Sequence, residues 1–321
     1  MSLRAPGGWG APGVLAVIPA RDEAARIPAA IAALRAAGAD VLVVANGCTD
    51  RTAAVAGSHG AAVLETGAAP GGVGAARRAG MAAARALAPR ATVLLTSDAD
   101  CRLAPGALPA LLCAFGRADA AMGRVLPDPA EFARLPAAVR RHGDLEDLRD
   151  ALLAEIGAFA EPRAHDPMPR HGQSPGALMA FRAAAYDAVG GFAPLPCSED
   201  RDIARRLVLA GLRVAHPWKA VVFASCRLDG RAPGGMADTI AHRARADLTH
   251  ETRRLEVQCR RLTRLVRALR AAGPSAMADM ARHICGKALL EMDPPGTDGA
   301  PSEPVAPRTS RSDPIATPAR S

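Results

Sequence analysis

The sequence contains few aromatic residues and no long hydrophobic run. Only 3% of its 321 residues are aromatic, namely one Tyr, two Trp and six Phe. Because single-stranded nucleic acids bind by stacking their bases on aromatic side chains, this scarcity argues against a nucleic-acid-binding protein. No stretch of about 18 strongly apolar residues occurs, so no membrane-spanning helix is predicted. Residues 1–12 are rich in Gly and Pro and lack the apolar block of a signal peptide, and we expect them to be flexible.

The cysteines lack the spacing of a zinc site. Seven occur, an odd number, and none forms a C-x-x-C pair. A structural zinc site is therefore not expected. Free thiols are typical of a reducing compartment, and together with the missing signal peptide they predict a cytoplasmic protein.

The net charge of +8 is concentrated near the C-terminal end, where residues 240–271 hold nine Arg and three acidic residues. Leu residues recur there every seven positions, which predicts a helix whose apolar seam packs against the rest of the domain. We therefore predict a basic helical extension over residues 236–290, followed by a disordered tail over residues 291–321 that is rich in Pro and Ser. The basic helix could contact an anionic membrane, and a solvated helix face would explain the same charges.

The first half of the sequence alternates between strand and helix patterns. Apolar runs at Val14–Ile18, Val41–Ala45 and Thr92–Thr96 predict buried strands, and a helical pattern follows each of them. Such alternation is typical of βαβ units in a mostly parallel sheet. Ligands bind beyond the carboxyl ends of the strands in sheets of this kind.

Two carboxylates one residue apart follow the strand at residues 92–96. Residues i and i+2 of an extended chain point to the same side, so Asp98 and Asp100 could bind one ion. Mg²⁺ and Mn²⁺ prefer carboxylate oxygens and often share substrate phosphates. The pattern therefore indicates a metal site that holds a diphosphate, although a solvated turn rich in Asp has the same sequence.

Six segments in fixed order resemble glycosyltransferase family 2, whose members use nucleotide-sugar donors. They are Val17-Ile18-Pro19-Ala20-Arg21-Asp22-Glu23-Ala24, Val43-Val44-Ala45-Asn46-Gly47-Cys48-Thr49-Asp50-Arg51-Thr52, Gly74-Ala75-Ala76-Arg77-Arg78-Ala79-Gly80, Asp98-Ala99-Asp100, Gly190-Gly191-Phe192 and Ser198-Glu199-Asp200. No single segment is highly specific, and their common order carries the resemblance.

The resemblance implies an α/β domain of the GT-A fold, a mostly parallel sheet flanked by helices, with the helical extension C-terminal to it. This domain would cover residues 13–235, with a nucleotide-binding half at 13–125 and an acceptor half at 126–235. The implied activity is hexosyl transfer from a nucleotide-sugar donor to a hydroxyl acceptor with Mg²⁺ or Mn²⁺. Inversion is the expected stereochemical outcome, and retention stays open.

The resemblance also implies a role for individual side chains. Asp100 would be the main metal ligand and Asp98 would touch ribose or a metal-bound water. Asp200 would be the catalytic base and Glu199 would bind the acceptor, unless both acids only complement a helix N-terminus. The remaining donor-binding residues would be Ala20, Arg21 and Glu23 at the nucleoside, Asn46 at the base, Ala99 within the Asp pair, and Arg77, Arg227 and Arg231 at the diphosphate.

Departures from the family pattern leave other functional hypotheses open. Ala45 and Asn46 stand where the family usually has two Asp, so the donor base is undetermined. No His follows Ser225-Cys226 as a third metal ligand, while His165 and His171 could line the acceptor side. A nucleotidyltransferase would need a Lys-bearing Gly-rich loop after the first strand, where this chain has Pro19-Ala20-Arg21. A non-catalytic binding or scaffold protein is the other alternative.

Overall fold

Eleven strands and ten helices are found in the part of the chain that the structure describes. The structure is a computed structural model and describes residues 1–6, 13–68, 70–230, 236–272 and 281. The strands are β1 (Ser2–Arg4), β2 (Val14–Ala20), β3 (Asp40–Asn46), β4 (Ala62–Thr66), β5 (Val93–Ser97), β6 (Cys101–Leu103), β7 (Ala120–Met122), β8 (Arg124–Pro127), β9 (Leu178–Arg182), β10 (Val214–Ala215) and β11 (Val221–Ala224). The helices are α1 (Ile27–Ala36), α2 (Thr52–Ser58), α3 (Gly72–Leu87), α4 (Ala107–Ala114), α5 (Pro129–Phe132), α6 (Ala137–Ala160), α7 (Ala183–Ala188), α8 (Glu199–Leu209), α9 (Met236–Arg245) and α10 (Thr249–Ala271).

An eight-stranded sheet lies at the centre, in the order β1-β4-β3-β2-β5-β9-β7-β10. Strands β4, β3, β2 and β5 are parallel, as the sequence predicts. Strand β9 is antiparallel to both β5 and β7, so the sheet is mixed beyond β5. A second sheet of three strands has the order β6-β11-β8. Strand β1, which pairs with β4 in antiparallel register, lies in the segment that we expected to be flexible.

The parallel strands are buried on both faces, which explains their continuous apolar sequences. Leu15 to Ile18 of β2 are each 0% exposed. Helix α3 lies directly on this sheet at Gly80, where an added Cβ would lie 2.4 Å from Val17 and 2.6 Å from Val44. Only glycine permits that close approach. The parallel strands β2, β3 and β5 therefore end at one edge, at which their following loops meet.

Helices α6 and α10 pack side by side in parallel. Contacts between them keep a nearly constant offset in sequence, as in the hydrogen bonds from Cys259 Sγ to the Leu145 carbonyl and from Arg270 to Glu155. Leu262 and Leu269 of the seam lie in one buried cluster with Ile156 of α6. The seven-residue spacing thus reflects packing within the chain, as predicted. None of the helices in the described ranges has the length and apolar composition needed to cross a membrane.

Candidate active site

The loop after β2 does not continue as a helix. The helical pattern that follows the first strand in the sequence begins at Asp22, whereas α1 begins only at Ile27. Asp22 adopts a positive φ of 54°, and its carboxylate accepts hydrogen bonds from the backbone N–H groups of Thr49 (2.6 Å) and Asp50 (3.1 Å). The loop after β2 is thereby tied to the loop after β3. Glu23 is consequently buried at 5% exposure, so it does not merely complement the dipole of an exposed helix.

Asp100 shares a guanidinium with Glu23. One nitrogen of Arg227 lies 2.6 Å from the Glu23 carboxylate and 3.0 Å from the Asp100 carboxylate. Burial, together with the negative charges of Asp98 and Glu23, raises the pKa of Asp100 to about 6 against the opposing effect of Arg227. The solvated turn that the sequence left open does not describe Asp100, whose side chain is only 21% exposed.

Arg77 is buried between two other acids. Its guanidinium is 3% exposed and pairs with Asp98 and with Glu199. It also donates to the Gly176 carbonyl at 3.0 Å and lies over the ring of Phe192 at 5.7 Å. A guanidinium enclosed in this way does not present its nitrogens to a ligand. This burial argues against the predicted contact of Arg77 with phosphate.

The two acids of the Ser198-Glu199-Asp200 segment differ in environment. Glu199 is 3% exposed, and burial raises its pKa although Arg77 opposes the shift. Asp200 is half-buried, and its carboxylate accepts from the backbone N–H groups of Gly176 and Arg201, each at 2.8 Å. Ser198 is the N-cap residue of α8, where it adopts a positive φ of 60° and its side chain makes no capping hydrogen bond. Strained backbone of this kind often lies at functional sites.

Gly176 connects these groups, although sequence reasoning did not single it out. It binds Arg77 through its carbonyl and Asp200 through its N–H. A Cβ at this position would lie 2.3 Å from the Arg77 guanidinium, so a larger residue cannot occupy it without displacing that side chain. The preceding Ser174-Pro175 marks a turn, but nothing in the sequence indicates which side chains this turn contacts.

Glu131 was also missed, and it positions the segment that carries Arg227. Its carboxylate accepts from the Ser225 hydroxyl (2.9 Å) and the Cys226 N–H (2.7 Å), and Arg26 donates to it at 2.7 Å. Hydrogen bonding from these groups, opposed by burial, leaves the pKa of Glu131 lowered. Glu131 lies more than 90 residues from Ser225 in sequence, so no local pattern reveals the contact.

The other predicted donor-binding residues lie at the same edge with different exposures. Asn46 ends β3 and accepts from the Thr66 hydroxyl at 3.4 Å. Ala20 is 4% exposed and Ala99 is 5% exposed, so both residues present little surface to a ligand. Arg21 is exposed, and no contact to it from the described residues is seen. Arg231 lies outside the described residues.

The histidines of the acceptor half form a buried network with Asp166. This carboxylate accepts from the His216 N–H at 2.7 Å and pairs with His216 Nδ1 at 2.9 Å. The ring of His171 packs edge-on against that of His216 at 5.6 Å. His171 is 4% exposed and His165 is partly exposed, so of the two only His165 presents appreciable surface to an acceptor.

A second group of possible metal ligands is already satisfied. Atoms of Asp22, Cys48 and Asp50 lie within 4.8 Å of one another. The carboxylates accept hydrogen bonds from the loop backbone, and the Cys48 thiol donates to the Ala20 carbonyl at 3.4 Å. Burial raises the pKa of the Cys48 thiol, which disfavours the thiolate that a metal would bind. These groups hold two loops together.

The charge of the site suits a divalent cation. Five carboxylates surround two guanidiniums, and the seven groups are Glu23, Asp98, Asp100, Glu199, Asp200, Arg77 and Arg227. Five negative against two positive charges leave an excess of three negative charges. A diphosphate would add further negative charge, so its binding requires compensation. Mg²⁺ and Mn²⁺ are bound through one or two carboxylates plus phosphate oxygens, which Asp98 and Asp100 can supply.

The sequence profile of glycosyl transferase family 2 matches residues 15–184, which is more than half of the chain. The chain belongs to this family. Family membership and the mixed sheet flanked by helices assign it the GT-A fold of the nucleotide-sugar glycosyltransferases. The match includes the loops that carry Glu23, Asn46 and Asp98, whereas Glu199, Asp200 and Arg227 lie beyond it.

Three solved structures illustrate the range of similar proteins. TarS of S. aureus in complex with UDP is 15% identical, with a TM-score of 0.48, over 67% of this chain and 60% of that one. The mannosyltransferase PcManGT of Pyrobaculum calidifontis with GDP-Man and Mn²⁺ is 19% identical, with a TM-score of 0.47, over 87% and 81%. Glucosyl-3-phosphoglycerate synthase of Mycobacterium tuberculosis, with Mn²⁺, UDP and glucosyl-3-phosphoglycerate, is 18% identical, with a TM-score of 0.40, over 78% and 80%. No curated protein sequence matches this chain.

Proposed function

We propose that this protein transfers a hexose from a nucleotide-sugar donor to a hydroxyl group of an acceptor, with inversion and with Mg²⁺ or Mn²⁺. The observation that carries the proposal is the meeting of Asp98, Asp100 and Glu23 at the edge where β2, β3 and β5 end. Acids crowded at such an edge, with an excess of negative charge, are suited to a ligand that arrives with a cation.

The donor would lie along this edge. Glu23 would accept from ribose hydroxyls, and the Asn46 amide would accept from or donate to a base edge. Ala20 and Ala99 would border the same space. Arg227 pairs with Asp100, so its guanidinium would lie beside the proposed diphosphate position. A divalent cation held by Asp100 and Asp98 would stabilise the negative charge that develops on the departing nucleoside diphosphate.

Asp200 is the proposed base. Two backbone N–H groups fix the orientation of its carboxylate, and its half-buried position leaves the side chain partly accessible. A carboxylate so oriented can take the proton of an acceptor hydroxyl as that oxygen attacks the anomeric carbon. Direct attack by the acceptor needs one base and no protein nucleophile, which is why we favour inversion.

Glu199 and Arg77 would act indirectly. Glu199 is enclosed with Arg77 and is not accessible to an acceptor, so the acceptor contact expected from the sequence is not part of the proposal. The Arg77 guanidinium joins the Asp98 loop to the start of α8. It thereby fixes the distance between the proposed diphosphate site and the proposed base.

The test is a thermal-shift screen with UDP-, GDP- and dTDP-sugars, each with and without Mn²⁺. A ligand that binds the native state raises the melting temperature, by an amount equivalent to about 2.7 kcal/mol at a hundred times its dissociation constant. We expect one nucleotide to give a shift that requires the metal. Metal-dependent shifts followed by release of nucleoside diphosphate would support transfer. Shifts with no nucleotide at any metal concentration would contradict it.

A further inference from the structure

One face of α10 carries six arginines that point away from the protein. Arg253, Arg254, Arg260, Arg261, Arg264 and Arg267 are all exposed. At 3.6 residues per turn they fall within an arc of about 140° that lies roughly opposite the buried Leu seam. The arc extends about 21 Å along the helix, from Arg253 to Arg267. We call these six residues the arginine face.

The arginine face lacks the acidic partners that a solvated helix usually carries. Helix α10 has two acidic residues, Glu251 and Glu256, and neither falls within the arc. Among the described residues only Arg260 of the six has an ion pair, a distant one of 3.9 Å to Glu256. The arginines at the edge of the helix interface differ, because Arg270 pairs with Glu155 of α6 at 2.6 Å.

The arrangement opposes the stability of the isolated helix. Arg260 and Arg264 are four residues apart and Arg264 and Arg267 are three apart, so like charges lie next to one another on the helix surface. An anionic partner would relieve this repulsion. The charge of the arginine face therefore suits a polyanionic partner. Repulsion between the arginines destabilises only the unbound protein.

The chemistry of the face favours an anionic lipid surface over a nucleic acid. No aromatic side chain lies within the arc to stack on a base. Its largest exposed apolar residue, Val257, is 37% exposed, which allows contact with headgroups without deep insertion. Guanidiniums spread over one exposed side of a helix can meet a flat layer of phosphate groups.

We propose that the arginine face binds the protein peripherally to membranes that contain anionic phospholipids. The attraction would be electrostatic, so it should weaken at high salt. Each arginine near an anionic bilayer strengthens binding by roughly fivefold. Binding should be undetectable on zwitterionic bilayers, since the face offers little apolar area for insertion.

The experiment is co-sedimentation of the full chain with vesicles of phosphatidylcholine alone or mixed with phosphatidylglycerol. The test variant combines Arg253→Gln, Arg260→Gln, Arg264→Gln and Arg267→Gln. The matched control combines Arg90→Gln, Arg117→Gln, Arg134→Gln and Arg205→Gln, which removes the same charge at exposed sites off α10 that have no ion pair in the described part of the chain. We expect the test variant to lose about two to three orders of magnitude in partitioning, and the control to bind nearly as the parent does.

Three results would overturn the proposal. These are equal binding to both kinds of vesicle, an equal loss in the two variants, or tighter binding of single- or double-stranded RNA than of the anionic vesicles at the same salt. Folding does not confuse the outcome, because removal of neighbouring like charges should leave the melting temperature unchanged or higher. The readout requires no sugar transfer, so failure of the proposed activity and failure of membrane binding are distinguished.

Discussion

The guanidinium of Arg227 lies 3.0 Å from the carboxylate of Asp100, the side chain to which we assign the metal. A protein cation and a divalent cation would therefore compete for one carboxylate. The Arg227 pair stabilises the site without ligand, and the same charge repels an incoming metal ion. We therefore expect the charge of Arg227 to weaken metal binding until an anionic donor binds.

Arg227→Gln should accordingly strengthen binding of Mn²⁺ in the absence of nucleotide, by about tenfold or more, because a positive charge is removed a few ångströms from the ligand oxygens. The measurement is a titration of free Mn²⁺ followed by electron paramagnetic resonance. Arg90→Gln removes an exposed charge elsewhere and should change nothing. Unchanged or weaker binding in Arg227→Gln would show that Asp100 is not a metal ligand in the free protein.

Arg77 should be a major contributor to stability, because its removal leaves the Glu199 carboxylate buried without a partner. We expect Arg77→Met to lower the free energy of unfolding by about 3 kcal/mol, a typical cost for breaking a buried ion pair. The double variant Arg77→Met with Glu199→Gln should recover part of the loss, since the buried charge is then absent. Urea denaturation of the three proteins gives these values.

The control for Arg77 lies on the same helix. Arg85 pairs with Asp187, and both side chains are more than 40% exposed. Arg85→Met should cost no more than about 1 kcal/mol, as exposed ion pairs do. Equal losses at Arg77 and Arg85 would show that the brace between the Asp98 loop and α8 contributes nothing specific to stability.

The sequence predicts the part of this site that depends on strand ends. The apolar runs of β2, β3 and β5 indicate parallel buried strands, and parallel strands must end at one edge. The placement of Asp98 and Asp100 follows from that geometry. Strand β9 enters antiparallel between β5 and β7, and a short apolar segment does not reveal its direction.

The partners of individual side chains were beyond local patterns. Arg77 occupies a helical position that a phosphate-binding arginine could also occupy. Its burial depends on Gly176 and Glu199, which lie 99 and 122 residues further along the chain. Glu131 likewise becomes part of the site only when α5 meets the segment after β11. Such contacts follow from tertiary packing, to which hydrophobic periodicity and motif spacing are insensitive.

His171 should make the protein sensitive to acid. Burial, together with the positive charges of His216 and Arg124, lowers its pKa to about 3. The unfolded chain would bind a proton below about pH 6.5, whereas the folded protein would not until about pH 3. Unfolded molecules therefore carry more protons in this window, and the free energy of unfolding decreases as pH falls through it, by on the order of 4 kcal/mol.

His171→Asn tests this expectation, because the amide oxygen can accept the Gln173 N–H that His171 Nδ1 accepts at 3.1 Å. Urea denaturation between pH 7 and pH 4 should show a flatter pH dependence in the variant than in the parent. His250→Asn, at an exposed position of α10, should retain the parent's slope. A parent protein equally stable at both ends of this range would contradict the assignment.

Asp200→Asn should separate donor binding from turnover. The amide retains an oxygen that can accept the Gly176 N–H, so the loop geometry should survive, while the ability to remove a proton is lost. We expect kcat to fall by about 10² to 10⁴, with the metal-dependent thermal shift by the donor unchanged. Asp202→Asn is the matched control, since Asp202 lies on the same helix and pairs with Arg206 at 2.7 Å. If Asp200→Asn retained the parent's kcat, another group would have to be the base. The ion pairs of Arg77 would then position only the donor site.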